Sequence, residues 1–174
     1  MDEIAREAKT SKQTIYARFP TKTALFAAVL ASRFRQVAAP RLLGAKEQEL
    51  PPEKFLHQLG VVLLKGNLDP EPRRFSEMLR TALHHSPEMA ETFWNNGPGL
   101  GRAALRAYLL EQIRLGVLSI PDVEIGMEQF VGLIVGGAVF RISRGMPPLP
   151  QQEKDIARWV FGCVELFLSF YRTR

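Results

Sequence analysis

Within the first 22 residues stand the side chains with most to offer a polar partner: Lys9, Ser11, Lys12, Gln13, Thr14, Tyr16, Arg18 and Lys22. Their chemistry is hydrogen bonding and charge rather than bond-making. A glutamine amide matches an adenine edge in the major groove, and a lysine ammonium matches a guanine edge. Tyrosine and threonine hydroxyls suit phosphate oxygens, which fix register but carry no sequence information. Positive charge gathers in the same stretch. Of the formal net charge of +5 over 174 residues, residues 1–36 hold seven basic and three acidic side chains, a local excess of +4. Loading one end of a chain in this way points to a polyanionic partner more strongly than the total charge does.

Groups that make or break bonds are poorly placed elsewhere. His84 and His85 are adjacent, so they point to different sides of a helix and lack the spacing of a metal-binding pair. Cys163 is the sole cysteine; it cannot form an internal disulfide and sits in an apolar stripe, where inert core is expected. The sequence has no glycine-rich phosphate loop and no nucleophile elbow. Neither a catalytic residue, nor a metal, nor a cofactor is expected. The opening Met-Asp-Glu-Ile lacks a basic-then-apolar signal segment. No run approaches 18 uninterrupted apolar residues, so a cytoplasmic protein without membrane contact is expected.

The elements that must carry these residues are helical. Hydrophobic residues make up 46% of the chain, enough to build a core, and they recur at three- and four-residue steps between Pro and Gly punctuation. Sustained alternation of the strand kind is absent. The pattern predicts helices at about 2–8 and 12–18. A longer one follows at 22–43, or ends near Pro40, and others at 52–66, 70–85 and 87–96. The last three fall at 99–115, 122–144 and 151–172. Ser86-Pro87 is expected to open one of them as cap and first residue, and Gly116 to close another.

The first two helices read as a helix-turn-helix. Ala5 and Ala8 are small enough for a close crossing, Ile4 and Ile15 supply apolar contact, and Thr10-Ser11 makes the turn. Ser11 is placed to cap the second helix by accepting from the Thr14 amide. Lys12, Gln13, Tyr16 and Ala17 then face outward. Thr21 is the expected cap of the third helix, which puts Lys22 at its first position. A cation there opposes the helix dipole and costs a few tenths to roughly 1 kcal/mol. The placement becomes favourable when a phosphate docks on the free amides of that turn.

These residues resemble the TetR family of transcriptional regulators, whose pattern is close to I-A-x-x-A-G-V-S-x-x-T-x-Y-x-x-F-x-x-K-x-x-L. This chain matches it at Ile4, Ala5, Ala8, Ser11, Thr14, Tyr16, Phe19, Lys22 and Leu25. The resemblance implies an all-α protein with a helix-turn-helix domain over residues 1–43 and a ligand-binding and dimerisation bundle over 44–174. It implies a ligand-responsive regulator, more often a repressor, that binds palindromic double-stranded DNA as a homodimer. Arg73 to Gly137 also resembles the ligand-binding half of one branch of such regulators. Two departures stand out. Lys9 replaces the glycine that the family carries at a positive-φ turn position, where a non-glycine residue costs roughly 1–2 kcal/mol. It is either tolerated with strain or recruited as a phosphate contact. The family's first helix, which packs across the other two, has no counterpart before Ile4, so the reading head is expected to be N-terminally incomplete. A dimeric helical small-molecule-binding or interaction module without DNA binding stays open as the alternative.

The resemblance places an effector pocket among the middle helices, with Phe75, Met78, Leu79, Phe93, Trp94, Leu105, Tyr108, Leu109 and Gln112 as candidate lining. With few polar groups able to point inward (Gln112, Tyr108 and Asn95), a small and mostly apolar effector is expected. The dimer face follows from periodicity. In the last helix Ile156, Val160, Cys163, Val164, Phe167, Leu168 and Tyr171 form one stripe, and Trp159, Leu166 and Phe170 form a second. A helix apolar on two faces is buried on both. Gly126, Gly132, Gly136 and Gly137 in the preceding helix mark close helix approach. Together with Val139 they make an isologous four-helix interface the expected result.

Overall fold

The computed structural model describes residues 1–37, 49–68, 87–96, 98–150 and 152–173. Eight helices lie among them: α1 (Asp2–Glu7), α2 (Lys12–Arg18), α3 (Lys22–Val37), α4 (Pro52–Leu68), α5 (Pro87–Asn96), α6 (Pro98–Arg114), α7 (Val123–Ile142) and α8 (Glu153–Tyr171). The described residues contain no strand, only a single antiparallel bridge between Leu118 and Arg172. The all-α expectation is met. The helix expected at 70–85, its Phe75, Met78, Leu79, Leu83, His84 and His85, the Ser86 cap and the domain boundary at 43/44 lie outside the described residues.

Local chemistry sets the helix ends. Asp122 Oδ1 accepts from the Glu124 and Ile125 amides at 2.9 and 3.1 Å, which satisfies two of the orphan donors of α7. α6 closes on Gly116 at φ +70°. There the Gly116 amide donates to the Ile113 carbonyl and the Val117 amide to the Gln112 carbonyl, the paired bonds of a Schellman end. α7 ends in the same way at Gly145, φ +71°.

The core is built where α4 packs against α7 and α8, and α6 against α7. Phe55, Leu56, Leu59 and Leu64 meet Leu105, Tyr108 and Leu109, together with Phe130, Ile134, Val160 and Phe167. Burial of each such side chain contributes about 1.5–3 kcal/mol. Phe55 and Tyr108 stack with ring centroids 3.7 Å apart, and the Tyr108 hydroxyl donates to the Leu50 carbonyl at 2.7 Å. Burial, and after it the Glu53 charge, hold the Tyr108 phenol above its ordinary pKa. Gly60 lets α4 come this close: a Cβ there would lie 2.6 Å from Val160 Cγ1 and 3.0 Å from Ile134 Cδ1.

The chain end is clasped to the body. The Ser119 amide donates to the Tyr171 carbonyl at 2.8 Å and the Thr173 amide to the Val117 carbonyl at 3.1 Å. Arg172 pairs with Glu53 in the first turn of α4. Hydrogen bonding from Arg172 is the main reason the Glu53 carboxyl sits below its ordinary pKa.

On the side of the N-terminal helices, α3 packs against α5 and α5 against α6. Arg102 of α6 lies over the Trp94 ring, 5.3 Å from its centroid, and pairs with Glu128 of α7. α7 is long and apolar enough to cross a membrane by length and composition, although Glu124, Glu128 and Gln129 interrupt its apolar run. Phe130, Ile134 and Ala138 on one side of it are buried, while Leu133, Val139 and Phe140 on the other are exposed.

Candidate nucleic-acid interface and partner face

α1 and α2 form the expected pair. Ala5 and Ile15 are its buried contacts. Ile4 and Ala8, expected at the crossing, are exposed instead. α1 has six residues and turns one side inward, and Ile4 lies about 100° round from Ala5. Ser11 caps α2 as expected, its Oγ accepting from the Thr14 amide at 3.0 Å while the two hydroxyls lie 2.8 Å apart. Lys12, Gln13, Thr14, Tyr16, Ala17 and Arg18 are all exposed on the seven-residue helix. Arg18 rests over the adjacent Phe19 ring, 5.8 Å from its centroid.

Lys12 is not free. Its ammonium lies 2.5 Å from Asp2 Oδ1, and that hydrogen bond is the main reason the Asp2 carboxyl is held below its ordinary pKa. Thr21 caps α3, its Oγ1 accepting from the Ala24 amide at 3.0 Å. Lys22 stands exposed at the first position of that helix, as the sequence predicts.

Lys9 has φ +49°, the one positive φ among the described non-glycine residues. Its amide donates to the Arg6 carbonyl at 3.1 Å and the Thr10 amide to the Ala5 carbonyl at 2.9 Å. This is the same Schellman pattern that Gly116 and Gly145 serve. A side chain in this conformation costs roughly 1–2 kcal/mol.

The candidate pocket residues divide. Leu105, Tyr108 and Leu109 are fully buried in the core, and Gln112 is buried with no hydrogen-bond partner for its side-chain amide among the described residues. Phe93 is half-buried. Trp94 and Asn95 are exposed, which corrects their expected inward placement: Arg102 covers one face of the Trp94 ring from outside the core.

On the second face, Leu166 and Phe170 are 62% and 77% exposed, and Leu133, Val139 and Phe140 continue the apolar surface onto α7. Two grooves run through it. One, of about 980 Å³, is floored by Leu133, Leu149, Trp159, Cys163 and Leu166. The other, of about 450 Å³, lies between Gly132, Leu133, Leu166 and Phe170. Neither is lined by the candidate effector residues.

A Cβ on Gly132, Gly136 or Gly137 would meet nothing within 4 Å, whereas one on Gly126 would strike Ile120. Within this chain none of the four marks a close approach of another helix: Ile120, which Gly126 accommodates, lies in the loop just before α7. Gly60 is the approach that sequence reading missed, because periodicity names a face and not the helix crossing it. Trp159, expected on the partner face, is half-buried on the floor of the larger groove, and its indole N–H donates to the Ile134 carbonyl at 3.1 Å, bolting α8 to α7. One turn on, Cys163 donates to the Leu133 carbonyl at 3.3 Å, and burial raises its thiol pKa.

A capped, outward-facing second helix on a body of packed helices defines a helix-turn-helix transcription regulator. Residues 1–29 match the bacterial regulatory proteins of the tetR family, and residues 54–173 match the AefR-like transcriptional repressor C-terminal domain. The chain belongs to the TetR family, whose members regulate transcription and are not enzymes. No curated protein matches the sequence.

Among solved structures, the chain is similar to the flavonoid-responsive regulator FrrA, with 25% identity and a TM-score of 0.79, covering 100% of this chain and 87% of that one. A TetR-family transcriptional regulator from Mesorhizobium loti shares the fold at 21% identity and TM-score 0.79, covering 99% and 86%. Another, from Pseudomonas syringae pv. tomato, does so at 21% and 0.70, covering 100% and 86%.

Proposed function

We propose that this regulator is a repressor that grips palindromic operator DNA as a homodimer and releases it when a small, mostly apolar effector binds. One observation carries the reading: the capped α2 turns Lys12, Gln13, Tyr16 and Arg18 outward, with Lys22 exposed at the first turn of α3. Gln13 and Lys12 are the base-reading candidates. Ser11, Thr14, Tyr16, Lys9, Arg18 and Lys22 lie toward the backbone rails.

The homodimer is supported by the apolar face of α7 and α8. Its glycines have open space over them and its grooves are shaped to take side chains from a second copy of the same pair. In this reading Gly132, Gly136, Val139, Leu166 and Phe170 form the contact. Trp159 acts from behind by fixing α8 to α7. Effector control is supported by the packing of α3 on α5 and of α5 on α6, which connects the reading head to the helices expected to sense the ligand. A flavonoid, named for FrrA, is a flat apolar ring system with a few hydroxyls, and an effector of that character fits the reading. A ligand acts only through unequal affinity for the two conformations.

Selection of binding sites from random duplex DNA with the full chain tests this. An inverted repeat is the expected consensus, bound by a species that sediments as a dimer. Absence of affinity for any duplex in dilute salt overturns it.

A further inference from the structure

Three helix ends among the described residues close with the same pair of backbone hydrogen bonds, and they differ in one respect. At the ends of α6 and α7 the left-handed position belongs to Gly116 and Gly145; at the end of α1 it belongs to Lys9. Glycine takes that conformation without steric penalty and lysine does not. A lysine kept where the same fold elsewhere uses glycine is a strained backbone position whose reason lies outside the backbone.

Its surroundings supply that reason. The Lys9 side chain is exposed and forms no ion pair among the described residues, whereas Lys12, at the same end of α2, is held by Asp2. Lys9 stands two residues before Ser11, the cap of α2. That end of a groove-reading helix goes against the bases, with its flanks on the phosphates. A cation near the α1 C-terminus also gains from the helix dipole. This is the competing account, and it makes the opposite stability prediction.

We propose that Lys9 is a phosphate anchor of the helix-turn-helix, and that the strained turn is kept because glycine offers no cation there. The inference rests on the DNA-binding reading above and deepens it. It implies a trade: the substitution that relaxes the fold loosens the grip on DNA.

Full-length Lys9→Gly, Lys9→Gln and Lys9→Arg are compared with the unmodified chain by thermal unfolding and by titration of a pooled random-sequence duplex over a range of salt. Lys9→Gly is expected to raise Tm by about 2–4 °C. It should weaken duplex binding about three- to tenfold at moderate salt and flatten the log–log salt slope by about one unit. Lys9→Gln should lose the same affinity without the gain in Tm, and Lys9→Arg should keep both slope and affinity. A Lys9→Gly protein with Tm unchanged or lowered overturns the strain premise and favours the dipole account. An unchanged slope and affinity, with the unmodified chain binding the duplex, overturn the anchor alone. If the unmodified chain binds no duplex, the DNA-binding reading fails and takes the anchor with it.

Discussion

Asp2 and Lys12 face each other across the helix-turn-helix, carboxylate oxygen to ammonium nitrogen 2.5 Å apart. The pair ties α1 to α2 and offsets a cation on the helix proposed to read DNA. An exposed pair of this kind contributes little to folding, so its larger effect falls on an incoming polyanion. Asp2→Asn is expected to tighten binding to any duplex by roughly three- to tenfold at low ionic strength, with the gain fading as salt is raised. Anisotropy titrations at two salt concentrations check this; equal affinity of both proteins at low salt counts against a role for Lys12 at the DNA surface.

Lys22 and Gln13 are predicted to fail in different ways. Lys22→Ala should weaken all sequences alike and flatten the salt slope by about one unit. Gln13→Ala should relax the preference at one base position, with a loss of roughly 1–3 kcal/mol confined to the preferred base. A selected operator and its single-base variants separate the two. A uniform loss for Gln13→Ala would move that residue from the bases to the backbone.

Gly60→Ala tests the packing of the body. The new methyl would lie 2.6 Å from Val160 Cγ1, on a stiff β-branched side chain that is fully buried. Overpacking of this kind costs about 1–3 kcal/mol, and alanine returns up to roughly 1 kcal/mol through helix propensity. The expected net effect is a loss, read as a Tm lower by several degrees. Gly136→Ala has open space within the chain and should raise the stability of a protomer. A loss of protomer stability there would contradict this placement of the helix.

The clasp between Glu53 and Arg172 gives a prediction in pH. The Glu53 carboxyl is held below its ordinary value of 4.5, chiefly by hydrogen bonding from Arg172. A depressed carboxyl pKa contributes stability that is complete above the unfolded value and is lost as pH falls through the folded one. Stability should therefore decline as pH drops below about 4.5, and Glu53→Gln should flatten that part of the profile. Because the two side chains are 44% and 46% exposed, the neutral-pH penalty of the substitution should stay under about 1 kcal/mol. An acid limb identical in both proteins would show that the clasp does not report on folding.

What the sequence disclosed was local. Ser11 and Thr21 cap the helices assigned to them because a cap depends on residues within three positions. The unusual φ of Lys9 was legible only through the family resemblance, whose pattern has glycine at that turn. All seven residues of the inner stripe of α8, from Ile156 to Tyr171, are buried because a 3.6-residue period survives any arrangement of neighbours. What it hid depends on partners distant along the chain. Trp159 belonged by period to the outer stripe, yet its indole meets a carbonyl 25 residues earlier. The resemblance places Trp94 in an inward pocket, but Arg102 covers it from the following helix. Gly60 is silent in the sequence, since nothing near it announces that two helices cross there.

The bare aromatic and leucine surface of α7 and α8 also bears on the life of the protein in a cell. Anything that covers Leu166 and Phe170 binds the folded protomer and not the unfolded one, so it stabilises by mass action. If a second copy is the cover, stability rises with copy number. A newly induced regulator would pass through a period of rapid turnover and become long-lived only once enough chains had accumulated to meet one another. The regulator's abundance would then carry its own threshold, independent of any operator or ligand.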